Sequence, residues 1–205
     1  MIPAQLALIV AIAFQFTLSR QLVYGPQYLV AGLELMLVIG LGFTAPRRHT
    51  SAVKLHRSGS LLLIAMISLV NAVSLVLVVN ALVHGNSHLT GVNLLTSAVG
   101  IYFTNIIIFG LWYWEIDSPG LTGYQHFEHR PGFMFPQANL ESKEAKKWRP
   151  TFFDYLYVSI TNGTAFSPTD TLPLTHTVKL LMGSQALVSL LTLALVAARA
   201  VNILN

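Results

Sequence analysis

The sequence predicts an all-α integral membrane protein of about five transmembrane helices, and two observations carry that prediction. Hydrophobic residues make up 54% of the 205 residues and charged ones only 10%, with mean hydropathy +0.62, too little polar surface for an aqueous fold. Between Arg57 and Glu115 there is no Asp, Glu, Lys or Arg, a run long enough for two spans of about 20 residues each and a turn at 84–88. Cysteine is absent, which excludes disulfides, thiolate metal sites and thiol nucleophiles. The net charge of +4 arises in segments flanking the apolar stretches, where it suits contact with anionic lipid headgroups rather than nucleic acid.

The first span is placed at 3–19. Its apolar run lacks a basic stretch ahead of it and a small-residue cleavage site after it, so it reads as a retained helix and not a signal peptide. A second span at 27–44 is punctuated by Gly25-Pro26 before it and Pro46 after it. The third, at 60–83, carries Asn71, Ser74 and Asn80 among Val, Leu and Ile, polar groups that in hydrocarbon turn toward neighbouring helices. A fourth at 91–114 contains Asn105 and closes on Trp112-Tyr113-Trp114, an interfacial aromatic belt, with Glu115 marking its exit. Residues 1–90 thus form a three-helix N-terminal membrane region, and 91–205 a second region that ends in a fifth span at 177–202.

Between 115 and 150 the composition shifts to Gly, Pro, charged and aromatic residues, which describes a connecting segment rather than a domain. Its His126-Phe127-Glu128-His129 has an i, i+3 histidine spacing that could serve a metal, but paired loop histidines are commonly just solvated, and no metal or cofactor is assigned. Lys143, Lys146, Lys147 and Arg149 around Trp148 read either as a segment lying on headgroups or as a solvated charged turn. No early span carries an arginine ladder, which argues against a voltage sensor.

The stretch Asp154 to Asp170, DYLYVSITNGTAFSPTD, resembles the pore helix and filter loop of the potassium-channel pore-loop family. Asp154, Tyr157 and Ser159 fall on the pore-helix pattern, Thr164 on the Thr before the filter, Asp170 on the Asp after it, and Pro173 and Thr175 on the following Pro-x-Thr. The run from Leu180 to Val201 resembles the inner helix, with Gln185 where a polar or acidic residue often sits behind the filter and Ser189 at the hinge glycine. The likeness covers about 151–202, with the fourth span as outer helix. It implies that 115–150 is the connecting segment, 151–170 a re-entrant pore helix and loop, and 177–202 the inner helix of a homotetramer surrounding a path for small cations.

The likeness breaks at the residues that select the ion, where the family's TTVGYGD reads TAFSPTD. A potassium filter needs successive backbone carbonyls turned inward, which glycines allow by adopting positive φ. Ser167 and Thr169 stand at those glycines, and Pro168 fixes its own φ and biases Ser167 toward extended geometry. The filter-like set is therefore Thr164, Ala165, Phe166, Ser167, Pro168, Thr169 and Asp170. Its hydroxyls and the terminal carboxylate would meet an ion directly, giving weakly selective passage or a closed plug. Asp154 is expected to cap the pore helix, Gln185 to brace the loop from behind, and Ser189 to allow close helix approach.

Membrane lipid, small cations and further copies of the chain are the expected partners, in the plasma membrane of a prokaryote. The alternative is a non-conducting scaffold or accessory subunit whose axis is plugged by Phe166 and Pro168. No enzyme is expected, because Ser167, Asp170 and His176 belong to no nucleophile elbow or oxyanion arrangement. Orientation is contested. The resemblance puts the basic segments outside, whereas Arg47, Arg48, Lys54 and Arg57, together with the basic residues of 130–149, favour the cytoplasm. The family orientation is the one expected here.

Overall fold

The computed structural model describes residues 2–15, 32, 35, 50–84, 90–117, 131–139, 148–164 and 170–204. Helices dominate them: α1 (Ile2–Gln15), α2 (Thr50–His84), α3 (Gly91–Asp117), α4 (Phe152–Thr164) and α5 (His176–Leu204). A 3-10 turn (Pro136–Asn139) and two short strands, β1 (Phe133–Met134) and β2 (Leu172–Pro173), complete the described elements.

Three helices are long and apolar enough to cross a bilayer, namely Arg57–His84, Gly91–Asp117 and His176–Ala198, and they mark the chain as a membrane protein. The other two expected spans are only partly described. Of the one expected at 3–19, α1 covers 3–15, and 16–19 lie outside the described residues. The span expected at 27–44 falls outside the described residues except for Gly32 and Leu35, both helical. Helix α2 begins at Thr50, ten residues earlier than expected, because Lys54 and Arg57 lie in its first turns rather than in a loop.

Helix α3 is the centre of the bundle, packing on α1, α2, α4 and α5. A helix apolar around most of its circumference suits a central place, and α3 has buried residues in every turn from Leu94 to Glu115, with Thr96 and Phe103 left exposed. Helix α2 runs antiparallel to it, fastened by a ladder of polar contacts. Ser60 Oγ donates to Glu115 Oε1 at 2.9 Å, Trp112 Nε1 to Ser68 Oγ at 3.0 Å, and Asn71 Nδ2 to the Ile101 carbonyl at 3.4 Å. In hydrocarbon such contacts add about 0.6 kcal/mol each. Glu115 is consequently 1% exposed and sits inside the helix, which continues to Asp117, so it does not mark an exit as its charge suggests.

Helix α4 starts beside the C-terminal end of α3 and runs back along it. The Phe152 ring meets Trp114 at 5.6 Å, Leu156 lies on Gly110, Ser159 Oγ donates to the Ile106 carbonyl at 2.6 Å, and Gly163 also lies against Ile106. From Asp117 to Ile106 α4 thus follows about 16 Å of α3. The chain then returns to the end from which it left. There β2 pairs antiparallel with β1, Phe133 opposite Pro173 and Met134 opposite Leu172, and the Leu174 amide donates to the Gly132 carbonyl at 2.8 Å. Helix α5 starts there and traverses the full length of α3 in the opposite direction.

Candidate functional site

The first turn of α4 is set by Thr151 and Asp154. Asp154 Oδ2 accepts from the Thr151 amide at 2.7 Å and from its hydroxyl at 2.8 Å, one half of a capping box. This carboxylate is occupied with helix initiation at the outer end of α4.

Behind α4 lies a buried polar knot assembled from three helices. Gln185 of α5, with no exposed surface, uses both ends of its amide. Its Nε2 donates to the Ser159 carbonyl at 2.8 Å and to Ser159 Oγ at 2.7 Å. Its Oε1 accepts from the Tyr113 hydroxyl of α3 at 2.5 Å and from Asn162 Nδ2 at 2.9 Å. The second Asn162 hydrogen goes to the Met182 carbonyl at 2.9 Å. One turn further along α5, Ser189 Oγ accepts from Asn105 Nδ2 at 3.0 Å. Gly163 lets the three helices converge. A Cβ there would stand 3.3 Å from Gln185 Nε2, Ile106 Cγ1 and Ser189 Oγ at once. Gly110 does the same for α3 and α4, where a Cβ would come within 3.2 Å of Leu156 Cα.

A second fastening holds the outer end. Asp117 Oδ1 accepts from the amides of Gly132 and Phe133, the latter at 3.3 Å, and Oδ2 accepts from the Tyr155 hydroxyl at 2.8 Å. One carboxylate thus joins α3, the β1 strand and α4. Burial pushes the Tyr155 hydroxyl well above the usual tyrosine range, and the Asp117 charge beside it pushes the same way. Aromatic rings pack around the clasp: Phe133 meets Tyr113 at 5.2 Å and Tyr155 at 5.9 Å, and Phe135 meets Tyr155 at 5.3 Å and Trp148 at 5.5 Å.

Of the filter-like residues, Ala165, Phe166, Ser167, Pro168 and Thr169 lie outside the described residues. Thr164 is the last residue of α4, and its hydroxyl contacts the Ile160 carbonyl at 3.0 Å and that of Thr161 at 3.2 Å. It is directed to its own helix and not toward a path. Asp170 is exposed just before β2. In sequence, 165–169 lies between the end of α4 and the β2 strand. Among the described residues no group of His, Cys, Asp or Glu is placed to hold a metal ion.

Tyr113 and Asn162 were not legible as parts of this site. Tyr113 sits in a Trp-Tyr-Trp run that reads as an interfacial belt, yet it has no exposed surface. Asn162 heads an Asn-Gly-Thr glycosylation pattern, but both amide hydrogens are held inside the bundle. Asp117 gave no signal beyond its place after an apolar run.

No family model matches the sequence, and no curated protein or solved structure matches it. The likeness to pore-loop channels accordingly rests on this chain's own residues.

Proposed function

We propose that the protein is a channel-like membrane protein in which α4 and the loop 165–169 form a re-entrant unit, and that four copies around an axis enclose a weakly selective path for small cations. The observation that supports this reading is that α4 runs back along α3 as far as Ile106, where Gln185 holds Ser159, while β2 lies again at the end of α3 where α4 began. The C-terminal end of α4 lies against Ile106, and the partial negative charge of a helix C-terminus favours a cation there. Asp170 adds a carboxylate at the mouth, as in rings that concentrate cations. A single loop and helix cannot surround a path. The exposed apolar face of α4, with Phe153 and Tyr157 more than 60% accessible, and that of α5, with Leu180 and Leu187 at 70% or more, are the surfaces that neighbouring copies would cover. Pro168 and the missing glycines exclude a potassium-type carbonyl ladder.

A second reading, a non-conducting scaffold that keeps this architecture, is favoured by one observation: the Thr164 hydroxyl is turned back on α4. Recording purified protein in a planar bilayer under a potassium against sodium gradient separates the two. A current with little preference between the ions, reduced in Asp170→Asn, is expected. Strong potassium selectivity would refute the argument from Pro168, and silence from tetrameric protein would favour the scaffold or a closed, gated pore.

A further inference from the structure

We propose that the basic end of the bundle lies in the cytoplasm, so that the loop 165–169 opens inward, opposite to the orientation implied by the family resemblance. The proposal rests on the membrane reading above but not on conduction. Its starting point is which segments share an end. The Ser60–Glu115 and Asn71–Ile101 contacts make α2 antiparallel to α3, and the Tyr113–Gln185 and Asn105–Ser189 contacts make α5 antiparallel to it as well. The start of α2, the end of α3, the β1–β2 ribbon, the start of α4 and the start of α5 therefore lie together.

Charge is distributed very unevenly with respect to that end. Ser60 Oγ contacts the Arg57 carbonyl at 2.9 Å, so Arg57 stands one turn beyond Ser60, level with the last turn of α3. Four of the twelve Lys and Arg residues fall in 47–57 and five more in 130–149, nine in all. Among the described residues Arg57, Arg149 and Lys179 stand at this end, and the other basic residues of those two stretches belong to the first turns of α2 or to connections that join elements beginning or ending there. The connection between α2 and α3 at the opposite end has no Lys or Arg, and Arg199 is the one basic residue that the described helices carry there. The connections concerned are short, the regime in which excess Lys and Arg hold a segment on the cytoplasmic side. Anionic headgroups of that leaflet attract the same residues. In this orientation Asp170 faces the cytoplasm, and cations would reach the loop from inside.

The cysteine-free sequence allows a direct test with single-cysteine variants of the full chain. Gln137→Cys is exposed at the loop-mouth end and Asn93→Cys is exposed in the first turn of α3 at the other. Spheroplasts are treated with a membrane-impermeant maleimide, before and after permeabilisation. Labelling of Asn93→Cys in intact spheroplasts, with Gln137→Cys labelled only after permeabilisation, is expected. The reverse pattern overturns the proposal while leaving the membrane reading intact. Both probes reacting on the same side overturns the membrane reading too, since α3 then does not cross. Should Gln137→Cys fail to accumulate, Ser58→Cys, exposed at the start of the α2 span, reports the same side.

Discussion

At the scale of residues, two side chains hold the candidate site and each has several partners to disappoint. Gln185→Leu fills similar space but leaves the Tyr113 hydroxyl, the Asn162 amide and Ser159 without their buried partner. Unanswered polar groups cost about 1–3 kcal/mol each, so a fall of at least about 2 kcal/mol is expected, read as a lower Tm in detergent. Asp117→Asn presents an NH2 group to one of three donors that now meet a carboxylate. A loss of about 2 kcal/mol follows, and hydrogen exchange should quicken at the Gly132 and Phe133 amides. Tyr155 supplies a pH dependence. Its hydroxyl titrates higher in the folded protein than in the unfolded chain. The stability it contributes is thus complete below the unfolded value of about 10 and declines as pH rises beyond it. Alkaline melting of wild type against Tyr155→Phe should expose the difference, with the variant losing less stability above that pH.

At the scale of elements, α4 tests how far sequence reasoning reaches. Its extent and cap were legible because Thr151 and Asp154 announce a helix start by local chemistry, and Asp154→Ala is expected to cost about 1 kcal/mol in thermal melting. Its seating against α3 and α5 was not legible, since that is set by two points of close approach, Gly110 and Gly163, whose meaning appears only when the facing helix is present. Gly163→Val should push α4 off Gln185 and Ser189. Overpacking of this kind costs about 1–3 kcal/mol, and the amides of α4 should lose exchange protection while those of α2 and α3 keep theirs. The spans α2, α3 and α5 were legible because an uncharged run is a property of the chain itself. The β1–β2 ribbon was hidden for the opposite reason. Two residues on either side of a long separation have no period to detect, and their pairing appears only once the Asp117 clasp has fixed β1 against the end of α3.

At the scale of the whole molecule, the described chain is a set of helices gathered on α3, with apolar surface left uncovered on α4 and α5. If copies cover it, Leu187→Trp on the exposed face of α5 should shift the oligomeric state in mild detergent without lowering the Tm of the single chain. An unchanged state would place lipid there instead. The location of Gln185 and Ser189 on the last described helix also bears on the order of synthesis. A chain made from its N-terminus produces α4 before α5, so Ser159 and Gly163 are made before their partners Gln185 and Ser189. Until Gln185 arrives, α4 has α3, α1 and the rings of Phe133 and Phe135 to rest on, but Ser159 and Asn162 lack their α5 partner. The knot behind α4 is therefore closed last, and a chain ending before residue 185 would hold α1 to α4 with Ser159, Asn162 and the Tyr113 hydroxyl still waiting for the one amide that joins them.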